Sequence, residues 1–132
     1  MNTMSALKAY QSVGVESKIA GANPHQLVGM LLSGLLDRFA KAKGAIGRGD
    51  VAAKGKLIGE AISIVDSLRA SIDSERGGDI ALNLIALYDF IERELLAANV
   101  HSDITRLDVV SKIVGEISEG WEAMPESAKD AH

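Results

Sequence analysis

Cysteine is absent from the 132-residue sequence, which excludes disulfides, thiolate metal sites and thiol nucleophiles and accords with a reducing compartment. Aromatic side chains are scarce, at 4% of residues against 47% hydrophobic. The core is therefore to be built from Leu, Ile, Val and Ala, which suits helix packing better than strands. Basic residues are outnumbered by acidic ones, 14 to 18, for a net charge of −4. That balance argues against nucleic acid, because neutralising phosphates needs a clustered Lys/Arg excess. Long apolar runs are missing too. The densest, Leu27 to Leu36, is about half the roughly 20 residues that cross a bilayer. The opening Met1-Asn2-Thr3-Met4-Ser5-Ala6-Leu7-Lys8 has no basic segment followed by an apolar stretch, so no secretory signal is expected there. The reading is one cytosolic domain, with no room for a second, enzymatic one.

What is present is helical periodicity. From Pro24 to about Ile46 an apolar stripe recurs at Val28, Leu32, Leu35, Phe39, Ala42 and Ile46, three or four residues apart. Asn23-Pro24 suits its start, since Asn caps free N–H groups and proline is tolerated in the first turn. Gly47-Arg48-Gly49-Asp50 breaks this helix and caps the next, which carries Ile58, Ala61, Val65, Leu68 and Ile72 and is expected to run on to Gly77-Gly78-Asp79. A third, Ile80 to Ala98, has Leu84, Leu87, Ile91 and Leu95 inside and Asn99 as its stop; a fourth, Asp103 to about Met124, has Leu107, Val110, Val114, Ile117 and Trp121. Short connections make neighbours antiparallel, so the expected fold is an all-α, antiparallel up-down four-helix bundle. Residues 23–124 form that bundle, 1–22 a short helical or irregular N-terminal segment, and 125–132 a polar tail.

Two features exceed what a bundle needs. Leu27, Val28, Met30, Leu31, Leu32, Leu35 and Leu36 make the first helix apolar around most of its circumference, where one stripe suffices. Glycine stands inside helices at 29, 34, 44, 55, 59, 115 and 120, each costing up to about 1 kcal/mol relative to alanine. Close helix packing and a groove that admits a partner both account for such glycines.

Catalytic chemistry finds little support. His25, His101 and His132 form no His-x-x-x-His or Glu-x-x-His pair, so helical metal-ligand geometry is missing and no cofactor is expected; solvated side chains are the simpler account. His25-Gln26-Leu27-Val28-Gly29 partly resembles the His-x-Leu-Lys-Gly pattern of histidine phosphotransfer domains, also four-helix bundles. Val28 replaces the lysine, and the histidine directly follows the helix-starting proline. The carboxylates Glu60, Asp66, Asp73, Asp89, Glu92 and Glu94 are interspersed with Lys and Arg as on a solvated face. Gly44 to Gly49 lacks the Lys-Ser/Thr ending of a P-loop. Ser33, Ser63, Ser67 and Ser111 have no base in a fixed pattern.

Landmarks from Ala9 to Trp121 resemble the FliS family of flagellin-specific export chaperones. They are Ala9-Tyr10-Gln11, Asn23-Pro24 with Leu27, Met30-Leu31 and Gly34, then Gly49-Asp50, Ile72-Asp73, Gly77-Gly78, Leu84, Leu87-Tyr88-Asp89, Ala98-Asn99 and Asp103. Asn23 stands where serine is common, Leu32 where tyrosine is common and Ile72 where leucine is usual. The resemblance implies a cytosolic, non-enzymatic chaperone. It would bind the C-terminal segment of flagellin, prevent premature polymerisation and deliver the client to the flagellar type III export apparatus, with the export gate and other flagellar proteins as further partners. Resemblance and surplus apolarity together nominate Leu27, Met30, Leu31, Gly34, Leu57, Ile58, Ile62, Leu84 and Tyr88 as client contacts. Leu7 and Tyr10 are nominated as cover for that groove until flagellin displaces them. A self-associating structural bundle and a phosphotransfer domain using His25 are the competing readings.

Overall fold

The computed structural model describes residues 24 to 124. Within them lie four α-helices and no strand: α1 Pro24–Arg48, α2 Val51–Ala70, α3 Ser74–His101 and α4 Ile104–Ala123. Each helix packs on its neighbour in the chain, and α4 closes the ring against α1. The result is an antiparallel up-down four-helix bundle, as the short connections require.

Local chemistry fixes the helix ends. The Asp50 carboxylate accepts the Ala53 N–H at 3.0 Å to open α2, and Asp103 accepts that of Thr105 at 3.0 Å to open α4, each satisfying an otherwise orphaned donor. Gly49, at φ +69°, makes the turn before Asp50, a conformation glycine adopts without strain. The α3–α4 turn instead places Ser102 at φ +49°, where its hydroxyl meets the Lys54 ammonium at 2.7 Å.

The expected end of the second helix is corrected. It stops at Ala70, where the Ser71 hydroxyl donates to the Leu68 carbonyl at 2.8 Å and closes the last turn. Ile72 lies beyond the helix yet still packs on the core; an apolar residue at helical spacing was therefore no sign that the helix continued. Ser74 begins a short turn of helix that joins α3 through Gly78, whose φ +54°, ψ −129° breaks the helical path. At its other end α3 passes Asn99 and reaches His101.

Side chains such as Leu35, Phe39, Ile58, Leu68, Tyr88, Ile91 and Leu107 are almost wholly buried and form one continuous core. Burial alone holds the Tyr88 hydroxyl protonated far beyond the usual tyrosine range. Arg38 is charged and buried; its guanidinium donates to Glu60 at 3.1 Å and Asp37 at 2.9 Å, tying α1 to α2. Such pairing is what makes a buried cation tolerable. Among the described residues no helix is long and apolar enough to cross a membrane.

Candidate partner-binding surface

The groove between α2 and α3 is framed by an ion cluster. One Arg69 nitrogen donates to Asp89 and Glu92 of α3, each at 2.7 Å, and the other to Asp66 at 2.7 Å. The cluster brings one stripe of each helix face to face. On α2 the stripe of Arg69 includes Ile62, Gly55 and Val51; on α3 that of Asp89 and Glu92 includes Leu82, Leu96 and Val100. These are large apolar groups left in solvent: Val51 is 71% exposed, Val100 75%, Leu82 58% and Leu96 52%. Ile62 is half-buried and packs against the core. A Cβ on Gly55, or on Gly59 one turn further along α2, would meet nothing within 4 Å. Neither glycine is thus explained by packing in the bundle.

Charge in this groove is acidic, three carboxylates around one guanidinium. Partial burial, then the nearby Glu92 charge, raise the Asp66 carboxyl above its ordinary range, with Arg69 opposing. The Arg69 guanidinium is held charged chiefly by its bond to Glu92. A hydrophobic strip with a charged cluster along it can hold an amphipathic segment in one register.

The nominated contacts scatter by depth. Leu27, Leu31, Ile58 and Tyr88 are at most 1% exposed and Gly34 is buried. In the chain alone they are core, and a client reaches them only if a covering element moves. Met30, Leu57, Ile62 and Leu84 are half-buried, packed against the core from its margins. They are not gathered on one face. Ile62 borders the α2–α3 groove, Leu84 falls on the α3 stripe that faces α4, and Met30 and Leu57 belong to α1 and α2. The wide apolar face of α1 is closed: ten of its residues are buried, Arg38 among them. Leu7 and Tyr10 lie outside the described residues. Val51, Leu96 and Val100 were missed because they stand off the inner stripes near helix ends, where isolated apolar residues pass for ordinary surface.

His25 is not simply solvated. Its ring stacks on Trp121 at 5.3 Å between centroids, and the Trp121 indole N–H donates to the His25 carbonyl at 3.2 Å. This clasp ties the start of α1 to the end of α4. Gly29 makes room for it, since a Cβ there would lie 3.2 Å from Glu122 Oε1 and 3.7 Å from Trp121. The imidazole thus has a structural role. Among the described residues no His, Cys, Asp and Glu are grouped as a metal would need.

A four-helix bundle with large aliphatic side chains exposed along α2 and α3 has the form of a helical binding module. The model of the family "Flagellar protein FliS" matches residues 6–128. The chain is 44% identical to the flagellar secretion chaperone FliSB of Pseudomonas aeruginosa, over 94% of its length and 98% of the relative's. It is 41% identical to flagellar secretion chaperone FliS of Salmonella typhimurium, covering 97% and 96%, and 40% identical to that of Vibrio cholerae, covering 91% and 88%. The chain belongs to the FliS family of flagellar secretion chaperones.

Proposed function

We infer that this protein is a cytosolic chaperone for flagellin. It binds the client's C-terminal segment, keeps it from polymerising and passes it to the flagellar type III export apparatus. The observation that carries this reading is the exposed apolar strip along α2 and α3, on a chain of a secretion-chaperone family. A disordered client with amphipathic stretches gains on such a strip the apolar burial it cannot achieve alone, and folds as it binds.

The half-buried positions point to a client that touches more than one face. Met30, Leu57, Ile62 and Leu84 border different parts of the bundle, so a segment long enough to wrap reaches several of them. Leu7 and Tyr10 belong to this proposal as the cover that the client displaces; deleting residues 1 to 18 should then increase both dye binding to apolar surface and flagellin affinity. The residues closed in the chain alone, Leu27, Leu31, Gly34, Ile58 and Tyr88, join the contacts only through that displacement.

The test is flagellin polymerisation seeded with filament fragments and followed by light scattering. Stoichiometric chaperone should arrest growth, and Leu96→Glu with Val100→Glu should lift the arrest while leaving thermal stability intact. Unimpeded polymerisation in the presence of the intact chaperone refutes the reading.

A further inference from the structure

The other side of α3 carries a second groove with different chemistry. The Arg106 guanidinium donates to Glu94 at 2.6 Å across the α3–α4 contact, which brings two further stripes face to face. On α3 the stripe of Glu94 includes Leu87, Leu84 and Ile80; on α4 that of Arg106 includes Ile113, Ile117 and Gly120. In antiparallel register Ile80 and Gly120 are equally far from the ion pair along their helices, hence level with one another. Here the groove is open. Ile80 is 66% exposed, Met124 one turn beyond Gly120 is 38% exposed, and a Cβ on Gly120 would meet nothing within 4 Å.

Charge separates this half of the groove from the rest. From residue 79 to 88 on α3 and from 113 to 121 on α4 the charged residues are Asp79, Glu116 and Glu119, all carboxylates, while Asp89 and Glu92 turn to the opposite side of α3 and pair with Arg69. Asp79, Glu116 and Glu119 make no ion pair with any described residue. Towards the α3–α4 turn the signs mix, with Arg93, Arg106 and Lys112 among Glu94 and Asp108. An aliphatic floor with a rim of one sign selects a partner by charge as well as shape.

We propose that this half of the α3–α4 groove docks an amphipathic helix of a partner protein, one whose aliphatic stripe is flanked by lysine or arginine. Two parallel walls of aliphatic side chains fit the i, i+3, i+4, i+7 anchors of a helix. Gly120 is where that helix approaches the backbone of α4 most closely. A second copy of this chain is the wrong occupant, because a two-fold contact through the groove would set the same carboxylates against one another. The site lies across α3 from the α2–α3 strip, so a client seated on that strip leaves it open, while one that wraps as far as Leu84 would share it.

The probe is a designed peptide of about eighteen residues, five helical turns, with a leucine stripe and either lysine or glutamate flanks, titrated calorimetrically into the full-length protein at low and high salt. The lysine peptide should bind at least about tenfold more tightly than the glutamate peptide and lose that advantage as salt rises. Gly120→Leu should weaken it about tenfold by filling the groove, and Glu116→Lys with Glu119→Lys should abolish the preference for lysine flanks. Val100→Glu, on the other groove, should change nothing. Equal affinity for the two peptides, or loss of binding in Val100→Glu but not in Gly120→Leu, overturns the proposal. So does a dimer in sedimentation that Ile80→Glu dissociates. Flagellin binding is read separately on the same variants, so failure here leaves the chaperone assignment standing, and failure there leaves this site standing.

Discussion

Replacing Gly55 and Gly59 by alanine should stabilise the protein and impair it at the same time. Both lie inside α2, where alanine is favoured over glycine by up to about 1 kcal/mol at each position. A new Cβ meets nothing within 4 Å at either one, so no packing penalty offsets the gain, and the hydrogen bond from the Ser63 hydroxyl to the Gly59 carbonyl uses only backbone at the mutated site. The double variant should gain about 1.5–2 kcal/mol, or about 5–8 °C in Tm for a domain of this size. Thermal and urea denaturation followed by circular dichroism measure it. Gly29→Ala is the internal control: its Cβ would press on the Glu122 carboxylate at 3.2 Å, so the propensity gain is largely cancelled. Gly78→Ala should go the other way, by about 1–3 kcal/mol, because φ +54°, ψ −129° is a conformation reserved for glycine. If the client helix rests on α2, the stabilised double variant binds flagellin more weakly, since two methyl groups hold it off the backbone. A double variant that is less stable than the parent refutes the reasoning, for it would mean that the glycines fit something inside the chain itself.

Further outcomes follow from the polar groups. Glu60→Gln should cost about 2 kcal/mol in urea unfolding, because it weakens a charged bond to the buried Arg38 guanidinium. Asp103→Ala should cost about 1 kcal/mol by removing the cap of α4. Asp66 has its carboxyl raised by burial and by Glu92; the ionised form therefore opposes folding, and the stability linked to its proton, full below the ordinary value of 3.8, is lost as pH rises through the raised one. Asp66→Asn should accordingly melt higher than the parent at neutral pH, and the two curves should converge below about pH 3.8, where both side chains are neutral.

Much of the fold was legible because its signals are local. Gly49-Asp50 and Asp103 mark helix starts by capping chemistry, and the inner stripes of Leu, Ile and Val mark the faces that meet. The end of α2 was not, since Ile72 keeps the helical spacing while the Ser71 hydroxyl turns the chain away; a three-residue connection leaves little room for the usual loop signals. Burial depth at the candidate site was illegible for a different reason. Periodicity separates inside from outside, but whether Leu27 and Leu31 border a groove or fill the core depends on how closely α2 approaches α1, which is set by long-range partners such as Arg38 and Glu60. The α2–α3 strip needed the Arg69 cluster to show which stripes face each other.

Calorimetric titration of the intact protein with a peptide covering the C-terminal segment of its cognate flagellin tests the central claim most directly. The account predicts tight binding with a large negative heat-capacity change, as a disordered segment buries apolar surface on the bundle, and marked weakening in Leu96→Glu with Val100→Glu. No heat of binding at concentrations well above micromolar would contradict it.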